Sequence, residues 1–256
     1  MKCETQETIG NRPAARVRRI LICVGFTLIC NWFAYYGTRF LTTGRFHFDM
    51  TGVIEEGIPF LPWTILIYWG CYLYWGANYV LGGLQAEEEM LRFFSADFLA
   101  KCACLVLFMA LPTTNIRPIV EGDGIFEVLM QRLYQIDAAD NLFPSIHCLT
   151  SWFCFIAVRR QERIPKGYKA FSLVCTVAIC LSTLTTKQHV IWDVVGGIGL
   201  AEGSYALVRK TGFEKRYGKW VRGIEKCVGR KIESCCHTVF SGCHRVDHKN
   251  ADGGEI

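Results

Sequence analysis

The sequence predicts an all-α integral membrane protein, a bundle of six spanning helices, and three observations carry that prediction. Apolar residues make up 51% of a chain of only 256, and aromatics 13%. Several runs approach the roughly 20 apolar residues that a bilayer about 30 Å thick calls for, and so short a chain has no core large enough to hide them. Lys and Arg gather in particular connections beside those runs, as cytoplasmic anchors do.

Cut at its charges and its Gly and Pro clusters, the chain yields spans over 20–41, 58–81, 97–113, 143–159, 170–187 and 189–208, within a membrane domain of residues 20–208. A basic segment, 1–19, carries Arg12, Arg16, Arg18 and Arg19 ahead of the first span. No small-residue cleavage site precedes Trp32, Phe33, Tyr35 and Tyr36, so this span is expected to be retained and not removed as a signal peptide. The second span is the clearest, because Ile58 to Leu81 contains no charged residue. The short connection Thr185 to Gln188 predicts that spans five and six form an antiparallel pair, with Gly196, Gly197 and Gly199 letting them approach closely. The tail, 209–256, is basic; Phe213 to Cys227 reads as an interfacial amphipathic helix, and the remainder is assigned no structure.

Orientation follows from the cations. The Arg12 to Arg19 block, the Arg159 to Lys169 block and the basic tail fall on one side if both termini are cytoplasmic, which predicts a multi-pass cell-membrane protein. The connection Gly82 to Ala96, with Glu87, Glu88 and Glu89, is placed inside as well, since acidic residues count for little in this rule. The basic blocks form no face with interleaved aromatics, which argues against nucleic acid as a partner. Nine of the fourteen cysteines sit in apolar stretches as small hydrophobes, so no disulfide framework is expected. Cys227, Cys235, Cys236, His237, Cys243 and His244 lack the paired Cys-x-x-Cys spacing of structural zinc sites.

Three segments fall on the outer face in this topology: Asn115-Ile116-Arg117-Pro118, Phe143-Pro144-Ser145-Ile146-His147 and His189-Val190-Ile191-Trp192-Asp193. On a helix, His189 and Asp193 point to one face a turn apart, so the carboxylate can fix the imidazole tautomer and leave the other nitrogen as nucleophile or base. A carboxylate in a span costs about 2.5 kcal/mol or more unless paired or at the rim, which favours a functional Asp193 over a purely structural one. Pro144 and Ser145 open a helix whose free N–H groups suit an anion, and His147 in the first turn can donate a proton to a leaving oxygen. Arg117 offers a planar fork for phosphate oxygens. Two imidazoles and a carboxylate also suit zinc. The Arg and the helix-start Ser argue instead for an anion, so neither a metal nor a cofactor is expected.

These motifs resemble the type 2 phosphatidic acid phosphatase superfamily, with its Lys-x6-Arg-Pro, Pro-Ser-x-His and Ser-Arg-x5-His-x3-Asp signature. Arg117-Pro118, Pro144-Ser145-Ile146-His147 and Ser182, His189, Asp193 match in order and spacing. The resemblance implies that His189 is the nucleophile that becomes phosphorylated, that Asp193 orients it and that His147 protonates the leaving group. It also implies that Arg117 and Ser145 hold phosphate. Two cations of the signature are missing: Ala110 stands in place of the Lys and Thr183 in place of the Arg. Lys187, two residues before His189, is the candidate to restore one of them. The Phe-Pro-Ser-Ile-His wording is similar to the branch of inositol phosphorylceramide and sphingomyelin synthases, which also lacks those cations. The expected function is therefore a lipid phosphate or diphosphate phosphatase acting through a phosphohistidine. A lipid headgroup phosphotransferase of the same chemistry is the alternative, and a catalytically idle protein keeping the fold a further one. The partners are the membrane and a lipid phosphate substrate. Glu202, nine residues after Asp193, lies about 13 Å further along the helix and has no assigned task.

Overall fold

The computed structural model describes residues 4–229, with side chains from residue 13 onward; Cys235, Cys236, His237, Cys243 and His244 lie outside the described residues. The protein is mostly helical. Helix α1, Glu4–Trp32, continues through a π-helical turn at Phe33–Gly37 into α2, Thr38–Thr42. A short parallel bridge pairs β1, Phe48–Asp49, with β2, Thr113–Thr114. Around it lie α3 (Val53–Glu56), α4 (Ile65–Gly83), α5 (Glu87–Ala110) and α6 (Ile125–Ile136), followed by α7 (Ile146–Arg159), α8 (Lys166–Thr185) and α9 (Ile191–Thr211). Gly212 closes α9 in the left-handed region at φ 66°, which glycine adopts without strain, and helical residues resume over 213–229.

Among the described residues, three helical stretches are long and apolar enough to cross a membrane: Pro13–Thr42, Glu87–Ala110 and Lys166–Thr185. The expected second span is not among them, although α4 is free of charge. Its Tyr and Trp side chains are amphipathic and lower its mean hydropathy. Helix α7 has 14 residues, about 21 Å at 1.5 Å per residue, shorter than the hydrocarbon layer. The expected connection Gly82 to Ala96 is mostly helix. Glu87, Glu88 and Glu89 form the first turn of α5, where negative charge complements the helix dipole. Arg92, one turn on, bonds Glu88 at 2.8 Å and Glu89 more closely.

One compact unit spans Val24–Lys215. Its hub is α7, which packs on α4, α8 and α9. The expected pairing of spans five and six takes another form, because the close approach is between α7 and α9. A Cβ on Gly197 would stand 2.6 Å from the Ser145 carbonyl oxygen, and one on Gly196 2.5 Å from the Phe143 ring; Gly199 faces open space. Helix α6, which the sequence reading left out, buries Met130 and Leu133 against Ile65 and Tyr68 of α4. Deep in α5, Asp97 pairs with Lys101 at 2.6 Å and accepts from Tyr79 and Thr27 at 2.8 and 2.7 Å, so this buried ion pair is well supplied with hydrogen bonds. Glu202 has partners too: Trp152 Nε1 at 2.7 Å and the Arg159 guanidinium in a two-pronged pairing.

The other unit joins the chain up to Cys23 with residues from Arg216 onward. Arg18 and Arg19 face Glu225 at 3.8 and 3.7 Å, and Cys23, Tyr217 and Val221 are buried.

Overpacking of a close helix contact costs about 1–3 kcal/mol. Gly197→Ala is therefore expected to lower the thermal midpoint of the detergent-solubilised protein by several degrees. Gly199→Ala should leave it unchanged or raise it slightly.

Candidate active site

Ser145 caps α7: its Oγ accepts from Cys148 N at 3.2 Å, leaving the helix's first turn aligned. Its own N–H donates to the Asp193 carbonyl at 3.0 Å, the bond that Gly197 makes room for. This ties the start of α7, and with it His147, to the start of α9. The turn between α8 and α9 is equally fixed. Gln188 and His189 both donate their N–H to the Thr183 carbonyl, at 3.0 and 3.1 Å, and Lys187 takes a left-handed φ of 55° to reverse the chain.

At this junction Asp193 is fully buried. Its Oδ2 lies 3.2 Å from His189 Nδ1 and accepts from Val190 N at 3.0 Å. A carboxylate facing Nδ1 holds the proton there, so His189 Nε2 carries the lone pair. The His147 ring centroid is 6.0 Å from that of His189. Both rings line the same cavity, so the two imidazoles face one space. His147 is stacked on Tyr68 at 4.5 Å, with the Tyr68 hydroxyl 3.5 Å from its Nδ1, and its Nε2 is buried without a partner.

Arg117 approaches the same junction. Its guanidinium lies over the Tyr134 ring at 5.0 Å and donates to the Asp137 carbonyl at 2.5 Å and to Gln188 Oε1 at 2.8 Å, while its Nε is buried without a partner. Burial pushes its pKa down from the usual arginine range, with the charge of Asp137 opposing. Lys187 lines the cavity beside Arg117 and His189, and its ammonium donates to the Glu55 and Ile58 carbonyls, both at 2.6 Å. It pins the short α3 region. The Glu55 carboxylate in turn accepts from Ile191 N at 3.1 Å at the start of α9.

Two cavities meet at His189. One, of about 320 Å³, is lined by both histidines, Gln188, Asp137, Asp140, Asn141 and a wall of Tyr and Trp rings. The other, of about 520 Å³, is lined by His189, Arg117, Lys187, Asn115 and the α3 loop. Asp137 and Gln188 are members that sequence reasoning missed. The available signal was the Asp137-Ala-Ala-Asp140-Asn141 run just ahead of the Phe-Pro-Ser-Ile-His segment. Among the described residues no three His, Cys, Asp or Glu side chains gather in the way a metal ion needs.

Residues 43–207, well over half of the chain and including every one of these side chains except a few on the first helix, match the model of the PAP2 superfamily. The chain belongs to the PAP2 superfamily. No curated protein and no solved structure matches it. The superfamily includes phosphatases, and the Arg-Pro, Pro-Ser-x-His and His-x3-Asp segments all lie within the matched stretch.

Because the Lys187 ammonium is committed to two backbone carbonyls, Lys187→Met is expected to act on stability. Charged hydrogen bonds of this kind contribute about 1–2 kcal/mol at a partly exposed site. The thermal midpoint should fall while KM for a phosphate substrate changes less than about twofold, whereas a phosphate-binding lysine would give the opposite split.

Proposed function

We propose that this protein is a membrane phosphoryl-transfer enzyme acting on a lipid phosphate, with His189 as the nucleophile that becomes phosphorylated. The observation that carries this reading is the fully buried Asp193 carboxylate on His189 Nδ1, 3.2 Å away, with a second imidazole on the same cavity, its ring centroid 6.0 Å from that of His189. In the first half-reaction the Nε2 lone pair of His189 forms a bond to phosphorus. The bond from phosphorus to the lipid oxygen breaks, and His147 Nε2 gives that oxygen its proton. In the second, His147 takes a proton from the incoming hydroxyl as its oxygen attacks phosphorus, and His189 is released. Arg117 and the orphaned amide of Gln188 supply donors to the phosphoryl oxygens. Ser145 contributes by holding α7, and with it His147, in place, and its hydroxyl hydrogen is a further donor.

When the incoming hydroxyl is water, the enzyme is a lipid phosphate or diphosphate phosphatase. A specific observation favours a lipid alcohol instead. Of the expected phosphate set, Ala110 and Thr183 are neutral, and the Lys187 ammonium, though its residue lines the cavity with Arg117 and His189, is bonded to two α3-region carbonyls, which leaves Arg117 as the cation for phosphate. A site with one guanidinium suits the single charge of a phosphodiester better than the double charge of a monoester, and transfer of a whole headgroup starts from a diester. In this reading the six apolar segments form a six-span bundle in the cell membrane, with both termini cytoplasmic and the site at the outer face.

Purified protein in EDTA, offered lipid phosphates and phosphodiesters with and without lipid alcohols, is expected to release phosphate or transfer headgroup. His189→Ala should abolish both. Asp193→Asn is expected to lower kcat by about 10³–10⁴, the order seen when an orienting carboxylate is lost and the tautomer is wrong. His147→Ala should lose about 10²–10⁴. Turnover that survives in His189→Ala sinks the assignment; transfer without phosphate release selects the transferase.

A further inference from the structure

The unit that joins the start of α1 to residues from Arg216 onward contains none of the site's residues, yet its charge is far from balanced. Over 13–23 and 216–229 the chain carries seven Lys or Arg residues against one acid, Glu225. That acid is already engaged: Arg18 and Arg19 face it at 3.8 and 3.7 Å. Arg16, Arg216, Lys219 and Lys226 are exposed, and Arg222 is half-buried. An excess of this size on two short helical stretches brings self-repulsion that folding alone gives no reason to accept.

The helix over 213–229 sorts its residues into sectors. With 3.6 residues per turn, Lys219, Arg222 and Lys226 fall about 100–160° to one side of Trp220, while Tyr217 and Val221 fall about 60–100° to the other. Tyr217 and Val221 are buried, as is Cys23 of α1. Between the two sectors Trp220 and Ile224 stay exposed, Trp220 at 50%, and Val228 continues the row one turn on. The start of α1 has the same mixed character, with Val17 and Leu21, also four apart, exposed at 54% and 63% beside its arginines.

An exposed apolar row flanked by cations suits neither plain water nor the bilayer core. Water leaves the indole and the branched side chains unburied, and the core would strip the cations of their solvent. The boundary between headgroups and acyl chains satisfies both, and it is where Trp is favoured. The helical stretch Pro13–Thr42 independently sets this end of the chain there. Its 30 residues, at 1.5 Å each, span about 45 Å against a hydrocarbon layer of roughly 30 Å, so the turns with Arg16, Arg18 and Arg19 reach beyond the acyl chains. Glu225 ties the other helix to those turns.

We propose that these two helical stretches bind anionic phospholipids. The helix over 213–229 lies along the membrane surface, with Trp220 and Ile224 among the upper acyl carbons and Arg216, Lys219, Arg222 and Lys226 at the lipid phosphates. A zwitterionic headgroup carries its own ammonium and offers these cations no net charge, so it is the weaker partner. An acidic protein would match the cations and leave the apolar row without its oil. The surface shares no residue with the histidine site and rests on no catalytic reading.

The test uses the full-length protein in phosphatidylcholine bilayers that contain, at equal mole fraction, either brominated phosphatidylglycerol or brominated phosphatidylcholine. Bromine on an acyl chain quenches a tryptophan only on contact, and the difference between wild type and Trp220→Phe isolates Trp220 from the other six tryptophans. Brominated phosphatidylglycerol is expected to quench Trp220 at least about twofold more than its zwitterionic counterpart, because cations at the surface enrich an anionic lipid around them. That ratio should fall toward one in about 0.5 M salt, where surface charges are screened within about 4 Å. It should fall in the same way in the triple variant Arg216→Gln, Lys219→Gln, Lys226→Gln. Equal quenching by the two lipids at low salt overturns the proposal, and so does quenching by neither, which gives the row to a protein partner or a second copy of the chain. If the triple variant does not reconstitute, the salt series on the wild type decides, since a preference that high salt leaves intact is not made by these cations.

Discussion

The seam between the start of α7 and the start of α9 is the contact on which the site depends. There the Ser145 N–H meets the Asp193 carbonyl at 3.0 Å, and only a residue without a Cβ at position 197 lets the two backbones come so near. The same residue whose carbonyl accepts this bond carries the carboxylate that orients His189. One helix contact therefore sets the separation of two imidazoles that belong to segments more than forty positions apart in the chain. Ser145, which the signature presents as a phosphate ligand, works here first as a cap: 0% exposed, with its hydroxyl accepting from Cys148. Positioning and ligation are not exclusive, since a hydroxyl that accepts one hydrogen bond still has its own proton to donate.

Much of this was legible in the sequence because it is local. The four-residue spacing of His189 and Asp193 fixes their shared face through helix geometry alone, and the pair is found bonded. The helix start at Ser145 and the tight turn after α8 were legible for the same reason, caps and turns being decided by a few adjacent residues, although Pro144 falls just before the cap and not in the first turn. What escaped was long-range. The direction of Lys187 depends on carbonyls of Glu55 and Ile58, some 130 positions away, and on a left-handed backbone that no local signal announces in a lysine. Asp137 reads as an ordinary loop acid until Tyr35 and Tyr68, from two other helices, are brought to it. The close approach of α9 to α7, where the short connection had pointed to α8, has the same origin. Loop length brings two helix ends together, and only the positions of glycines and bulky rings decide which flanks meet.

The wording of α4 also has a physical explanation that hydropathy alone obscures. Its rings make it a poor span by a transfer scale, yet they are not distributed for the bilayer alone. Tyr68 is buried against α6 and stacks on His147, Trp75 bonds α7 through Ser151, and Tyr74 bonds Ser172 and Thr176 of α8. Amphipathic rings suit this task, since each supplies a broad apolar face and, for Tyr and Trp, one polar atom that must find a partner when buried. The helix is aromatic because it packs a polar site in an apolar molecule.

The partners of the buried and half-buried carboxylates separate the structural ones from those at the site. Asp97 has Lys101 at 2.6 Å together with two hydroxyls, and Glu202 has Arg159 together with an indole N–H. Each is matched by a full positive charge, the arrangement that makes a buried ion tolerable for the fold itself. Glu55 bonds backbone N–H groups at the start of α3 and α9, where the helix dipoles favour it. Asp193 differs from all three. It faces an imidazole that acquires its charge only when it reacts or takes a proton. Folding alone gives no reason to bury charge against such a partner. A reaction that turns His189 cationic as its nitrogen bonds to phosphorus supplies the missing positive charge at the moment it is needed.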